Sequence, residues 1–392
     1  MVGRRDGAPC VPLVAVDRIA VPSNWNRFRV VLPSWVPGRT LYHVHALGAA
    51  AGGGLDALTA WLDHVAELGC GGVLLTPIHA SSTHGYDTVD PFRVDDRLGG
   101  DAAFARFVDA AHERDLRVVL DGVFNHVGRA FPRTELLSGG YWEGHEELAE
   151  LDHANTAVLE WAVDVAGHWL DRGIDGWRFD VAYTIPRPFL RQLTAAIHES
   201  NPEALVVGEM IHGDYRGLVA DTGLHGVTQY ELYKAIWSAL NDGNCWELAH
   251  ALTRHAGFAS AFAPVTFLGN HDVTRIRSRL RDPRHLEHAL AVVFTVAGIP
   301  CSYYGDELGW TGVKEDRAGG DDAIRQPLAP GDVDERFRHW IAFRRDHPEL
   351  TQAPLEVLDK TNRTLRYRSG ELTVSLDIDS GVTLGQNGGR RV

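Results

Sequence analysis

Four acidic side chains stand at the ends of apolar runs, beside residues that suit nucleophilic and acid–base chemistry. Asp121 opens Asp-Gly-Val-Phe-Asn-His, which also carries Asn125 and His126. Asp180 lies in Gly-Trp-Arg-Phe-Asp-Val, two residues after Arg178. Glu209 lies in Val-Val-Gly-Glu-Met, and Asp272 follows His271 in Phe-Leu-Gly-Asn-His-Asp. Burying a carboxyl costs free energy unless it is paired or used. One such acid is explained by a solvated rim; four, two of them with a neighbouring histidine, ask for a shared purpose. Arg178 and Asp180, two apart on a strand, point to one face. A guanidinium beside a carboxylate holds it charged and oriented, as a nucleophile requires. Glu209, after a separate apolar run, suits proton donation. Two carboxyls about 5–5.5 Å apart support double displacement at a glycosidic carbon. Asp272 would be a third, binding hydroxyls and favouring a distorted, cation-like sugar ring.

These acids need a scaffold that brings separate strand ends together. From residue 41 onward, short apolar runs alternate with amphipathic helical stretches. The runs Leu41–Leu47, Gly71–Ile78, Arg117–Val123, Gly173–Val181, Ala204–Met210, Val227–Leu232, Pro264–His271 and Ile299–Asp306 read as strands. Near-continuous apolar runs mark strands covered on both faces. Between them, Leu55–Leu68, Ala102–Arg114, Ala157–Asp171 and Leu286–Ala297 repeat apolar residues at helical spacing. Eight strands alternating with helices predict an α/β fold, a parallel (β/α)₈ TIM barrel whose active site gathers at the strand C-termini. A doubly wound sheet fits the same alternation but lacks a glycine fingerprint after its first strand. The predicted organisation is an irregular Pro-rich segment over 1–40, a barrel over 41–350 and a small β-rich C-terminal segment over 351–392. A loop or miniature subdomain over 127–154 follows the third strand. Thr364–Tyr367 and Leu372–Leu376 are strand candidates in the tail.

Composition narrows the partners. A formal net charge of −14 over 392 residues argues against a nucleic acid or an anionic membrane, both of which call for clustered positive charge. It suits a neutral substrate. Cys10, Cys70, Cys245 and Cys301 show no metal or disulfide-framework spacing, and Cys70 and Cys301 read as buried free thiols. The N-terminal apolar run is broken by Asp17 and Arg18, a poor secretory signal, and no run approaches a membrane span. A cytoplasmic location is expected.

The four segments DGVFNH, GWRFDVA, VGEM and FLGNHD, in this order, resemble the signature of the α-amylase superfamily, glycoside hydrolase family thirteen, over about residues 41–350. The resemblance implies an enzyme that cleaves α-glucosidic bonds, mainly α-1,4, in maltooligosaccharides or starch-like α-glucans with retention of configuration. It makes Asp180 the nucleophile, Glu209 the acid/base and Asp272 the transition-state stabiliser, with Asp121, His126, Arg178 and His271 around the cleaved sugar. The stretch His84-Gly85-Tyr86-Asp87-Thr88 and the stretch Ile324-Arg325-Gln326-Pro327-Leu328 are similar to the neopullulanase, cyclomaltodextrinase and oligo-1,6-glucosidase groups. By that likeness Tyr86 stacks on a sugar ring, and Asp87 pairs with Arg325 to close the pocket.

Departures from the pattern matter as well. The 127–154 loop is about half the usual domain B, and the Lys-His pair common after the nucleophile is replaced by Ala182-Tyr183-Thr184. Asn125 and Asp152 match positions that ligate Ca²⁺ in some members, but two oxygen donors fall far short of six to eight. No cofactor is therefore expected to be required, Ca²⁺ remaining the one candidate. The N-terminal region is too short for the extra β-domain of typical cyclomaltodextrinases, which leaves the oligomeric state open. A transglycosylase or a sucrose or maltose isomerase would use the same covalent intermediate. A catalytically dead sugar-binding relative would have lost one of the acids, and none is missing. A metal-dependent hydrolase drawing on His126 and His271 lacks the usual ligand spacing.

Overall fold

Alternate residues of each apolar run face opposite ways, and this period of two builds both sides of a closed sheet. In the computed structural model, which describes residues 30–317 and 319–386, eight strands form the sheet. They are β1 (Leu41–Val44), β2 (Gly72–Leu75), β3 (Arg117–Gly122), β4 (Gly176–Phe179), β5 (Leu205–Gly208), β6 (Gly226–Val227), β7 (Val265–Phe267) and β8 (Ile299–Tyr303). All pairings are parallel, in the order β6-β5-β4-β3-β2-β1-β8-β7. Leu41, Leu74, Val119, Leu205, Val207, Val265, Phe267 and Ile299 fill the inside. Their neighbours Tyr42, Val73, Leu75, Val118, Leu120 and Val206 pack outward, toward the helices.

The ring is completed between β6 and β7 by one parallel bridge, Thr228 with Val265. The amide of Ala263 donating to the His225 carbonyl (3.1 Å) and that of Gln229 to the Val265 carbonyl (2.9 Å) flank it. Here the sequence expectation needs correction. Val227–Leu232 was expected as strand, but β6 stops at Val227 and a helix, Tyr230–Asp242, starts at once. The Gln229 side chain accepts from the Leu232 amide at 3.3 Å, capping the helix where the apolar run alone suggested extension. The other seven strands lie within their expected runs but are shorter, because the polar residues that end each run turn into the mouth.

The segment after β3 is more ordered than a loop. His126–Gly128, Leu137–Tyr141 and Leu148–Leu151 form a small antiparallel sheet with Leu148–Leu151 central. At the C-terminal end, β9 (Leu355–Lys360), β10 (Thr364–Ser369), β11 (Leu372–Asp377) and β12 (Gly381–Gln386) make an antiparallel meander. The two expected tail strands are thus the middle pair of four. Tyr367 Oη lies 2.6 Å from Thr295 Oγ1, and the Asp377 carbonyl lies 2.8 Å from His288 Nε2, pinning this sheet to the helix Leu286–Thr295. Cys70, Cys245 and Cys301 are buried free thiols; Cys10 and most of the 1–40 segment lie outside the described residues.

The closure point is intolerant of a side chain. A Cβ on Gly226 would stand 1.8 Å from the Ala263 carbonyl oxygen. Gly226→Ala is expected to cost about 3 kcal/mol by urea unfolding. Gly257→Ala, where a Cβ meets nothing within 4 Å inside the helix Cys245–Ala259, should instead stabilise by about 0.5–1 kcal/mol.

Candidate active site

One guanidinium organises the mouth of the barrel. Arg178, near the end of β4, is 3% exposed. Its Nη1 donates to both Asp121 oxygens at 2.7 Å and to Asp180 Oδ1 at 2.8 Å. Its Nη2 lies 3.0 Å from Glu209 Oε1. Three carboxyls from the ends of β3, β4 and β5 thus meet on one planar fork. Parallel strands bring these ends together, and the fork sets their directions. Glu209 follows an apolar run but has polar company: besides Arg178, it accepts from the Val181 amide at 3.0 Å and from Tyr230 Oη at 3.3 Å.

Val181, directly after Asp180, has φ 39°, a left-handed conformation that a β-branched residue adopts only under constraint. In that conformation its amide reaches Glu209, and the chain then turns through Thr184, whose hydroxyl donates to the Val181 carbonyl at 2.8 Å. Strain at this residue is offset by the bonds it allows.

Asp272 closes the site from the other side. Its Oδ1 accepts from Arg325 Nη2 at 3.1 Å, its Oδ2 lies 3.0 Å from His271 Nε2, and its side chain is 32% exposed. The Asn270 side chain steadies the turn, accepting from the Asp272 amide at 2.8 Å and donating to Tyr230 Oη at 2.7 Å. Tyr86 Oη donates to Asp121 Oδ2 at 2.9 Å and lies 2.5 Å from His271 Nε2. The Tyr86 and His271 rings stack at 5.3 Å with 9° between planes.

Burial pushes the Asp121 carboxyl up to about 6, against the pull of Arg178. It also raises Asp180 and Asp272, with their neighbouring carboxylates adding to the effect. Against that burial, Arg178 pulls each of these three carboxyls back toward its charged form. Burial holds His271 far below the ordinary histidine range and lowers His126 to about 4, so both rings are neutral.

One expectation changes. Asp87 does not pair with Arg325. Its Oδ1 accepts from the amides of His84 (3.1 Å) and Gly85 (3.2 Å), and its Oδ2 accepts from Thr83 Oγ1 at 2.8 Å. These local donors engage both carboxylate oxygens and fold its own loop. Arg325 turns instead to Asp272 and to Asp321 Oδ2 at 2.8 Å. Of the Ca²⁺ candidates, Asn125 Oδ1 lies 3.0 Å from Thr184 Oγ1, and Asp152 Oδ1 accepts from the Ala154 amide at 3.1 Å. Among the described residues no group of three or more His, Cys, Asp or Glu is arranged to hold a metal ion.

Sequence reasoning missed Tyr230 and Asn270. Asn270 sits inside FLGNHD and was visible there, whereas Tyr230 was hidden by its assignment to a strand interior. Trp142 was missed too. It opens the 3-10 turn Trp142–Gly144 that follows the strand Leu137–Tyr141 and stacks on His126 at 5.0 Å and 20°.

The alpha-amylase catalytic-domain family model matches residues 22–135 and 141–349. The chain belongs to the α-amylase family. A Bacillus sp cyclomaltodextrinase is 30% identical over 81% of this chain and 63% of its own length. The intracellular maltogenic amylase of Bacillus subtilis (strain 168) is 28% identical over 81% of this chain and 59% of its length. The chain therefore spans less than two thirds of these curated relatives. Among solved structures, the cyclic alpha-maltosyl-(1→6)-maltose hydrolase from Arthrobacter globiformis, in complex with maltose, superposes with a TM-score of 0.80. It is 27% identical and covers 88% of this chain and 92% of that one. Strand order, barrel and C-terminal sheet are those of an α-amylase-type enzyme. No helix among the described residues is long and apolar enough to cross a membrane.

The raised Asp121 carboxyl has a pH signature. An acid whose native pKa exceeds its unfolded value stabilises the fold at low pH and loses that contribution as pH rises through the native pKa. The free protein should therefore lose part of its stability between pH 3.8 and about 6. Asp121→Asn should flatten that decline, as read by calorimetric Tm across the interval; an unchanged slope would contradict the shift.

Proposed function

We propose that this α-amylase-family chain is a retaining glycoside hydrolase acting on α-glucosidic bonds, mainly α-1,4, in maltooligosaccharides or starch-like α-glucans. The observation that carries the reading is the single buried fork of Arg178 contacting Asp121, Asp180 and Glu209 together. It is supported by relatives named cyclomaltodextrinase and intracellular maltogenic amylase. Linkage and the glucan acted on belong to the proposal.

In the proposed mechanism, Asp180 attacks the anomeric carbon and forms a glycosyl ester. The bond to the leaving oxygen breaks as Glu209 delivers its proton there. Glu209, now a carboxylate, takes a proton from water, whose oxygen attacks the same carbon and releases Asp180. Arg178 contacts both acids, and in this mechanism it holds their separation while charge moves between them. Asp272, anchored by Arg325 and His271, faces the sugar and favours the cation-like ring. Asp121, His126, His271 and Tyr86 line the subsite of the cleaved residue, with Tyr86 lying against His271 rather than standing free. Arg325 acts through Asp272, and Asp87 shapes the loop that carries Tyr86.

The proposal needs no cofactor: each proton and bond is accounted for by carboxyls already present. The partner is a neutral glucan, with neither nucleic acid nor membrane, and the location is cytoplasmic. Transfer of the glycosyl group to a second sugar would use the same ester and differ only in the acceptor. Products longer than the substrate on incubation with maltotriose would assign that outcome.

Asp180→Asn is expected to abolish turnover of maltotriose by several orders of magnitude with an unchanged circular dichroism spectrum. Glu209→Gln should slow it by about 10²–10⁴-fold. That variant should lose far less on an aryl maltoside with a good leaving group, where little proton donation is needed. Parental rates in Asp180→Asn would sink the assignment.

A further inference from the structure

Arg275 lies three residues beyond Asp272, is fully buried at 0% exposure, and takes no part in the chemistry above. Its Nη1 donates to the Tyr304 carbonyl at 2.8 Å and to Asp306 Oδ1 at 2.9 Å, and its Nη2 donates to the Ile324 carbonyl at 3.0 Å. The guanidinium lies over the rings of Tyr303 (4.6 Å), Tyr304 (5.3 Å) and Trp310 (5.3 Å). A buried cation is expensive to keep, and a stability role alone is often met as well by apolar packing. The partners of this one share a single segment. The Ile324 carbonyl also accepts from Tyr303 Oη at 2.8 Å, and the Gln326 carbonyl accepts from Tyr304 Oη at 2.7 Å. The residue between these two pinned carbonyls is Arg325, whose side chain reaches Asp272 and, through Nε, the His271 carbonyl at 3.0 Å.

The turn after β7 therefore grips the segment after β8 twice. Asp272 holds the Arg325 side chain from within the site, and Arg275 holds the backbone just before it from below. We propose that Arg275, with Tyr303, is a positioning residue that aims Arg325 at Asp272 and so fixes the Asp272 carboxylate toward the sugar. About one third exposed and held, among the described residues, by one guanidinium contact and one ring nitrogen, Asp272 would otherwise swing. The segment is closely packed at Arg325: a Cβ on Gly48 would stand 2.4 Å from the Arg325 carbonyl oxygen.

This inference rests on the role proposed for Asp272, and the test separates the two. Maltotriose hydrolysis is measured well below the unfolding temperature for Asp272→Asn, Tyr303→Phe, Arg275→Lys, Arg325→Lys and the double variant Tyr303→Phe/Arg325→Lys. Tyr303→Phe should lower kcat roughly tenfold and Arg275→Lys up to roughly a hundredfold, with KM nearly unchanged, the scale expected for a small misplacement of a working group. Tyr303→Phe and Arg325→Lys should not multiply, because both act through Asp272. A kcat within about twofold of the parent in Tyr303→Phe, or a fully multiplicative double variant, overturns the positioning role. So does a fall in Tm with kcat intact. If Arg275→Lys fails to fold, Tyr303→Phe decides alone. Parental activity in Asp272→Asn would instead overturn the functional reading itself.

Discussion

The charge of Arg178 makes the rest of the site tenable. Asp121, Asp180 and Glu209 come from three successive strands and are each almost sealed from water; without a shared cation their mutual repulsion and lost hydration would force them apart or fully protonate them. A lysine would not replace it, because one compact ammonium cannot present two nitrogens to acids on opposite sides. The guanidinium itself has no other energetic justification for its depth. Cation and acids require one another, and the barrel supplies the only frame in which their backbones converge.

A second tier of the same logic surrounds the first. Tyr86, His271, Asn270 and Tyr230 link the Arg178 cluster to Asp272 by short polar contacts, so the mouth is one connected network rather than four separate acids. Such a network resists rearrangement because each member would leave another unpartnered. Arg275 repeats the device one layer down, with backbone carbonyls in place of carboxylates. Rigidity of the mouth thus comes from strand ends plus buried arginines, and the small sheet after β3 is left to shape access, with Trp142 lying over His126.

The fold was legible because parallel strands buried on both faces leave long apolar runs, and GWRFDVA or VGEM place their acids at the ends of such runs. Where the sequence misled, a local polar contact outweighed the pattern. Val227–Leu232 looks extended, yet the Gln229 side chain caps a helix there, and that error also concealed Tyr230. The Asp87–Arg325 pairing failed because opposite charges in two loops carry no information about nearer partners. Asp87 finds three donors within its own loop, and Asp272 competes successfully for Arg325. Nothing in the one-dimensional pattern marks Val181 as left-handed, since that conformation follows from bonds to a residue on another strand. Arg275 likewise has no mark in the sequence, because its partners are carbonyls of other loops.

The seam between β6 and β7 carries a dynamic consequence. Seven joints of the barrel are ladders, and the eighth hangs on one bridge with its two flanking amides. Local opening of the barrel is expected at that joint, where separation breaks the fewest bonds. Tyr230, two residues beyond the bridge, touches both Glu209 and Asn270. Each transient parting of these staves therefore loosens the proton donor's hydroxyl contact, and exchange of the Gln229 amide with solvent serves as a clock for that loosening.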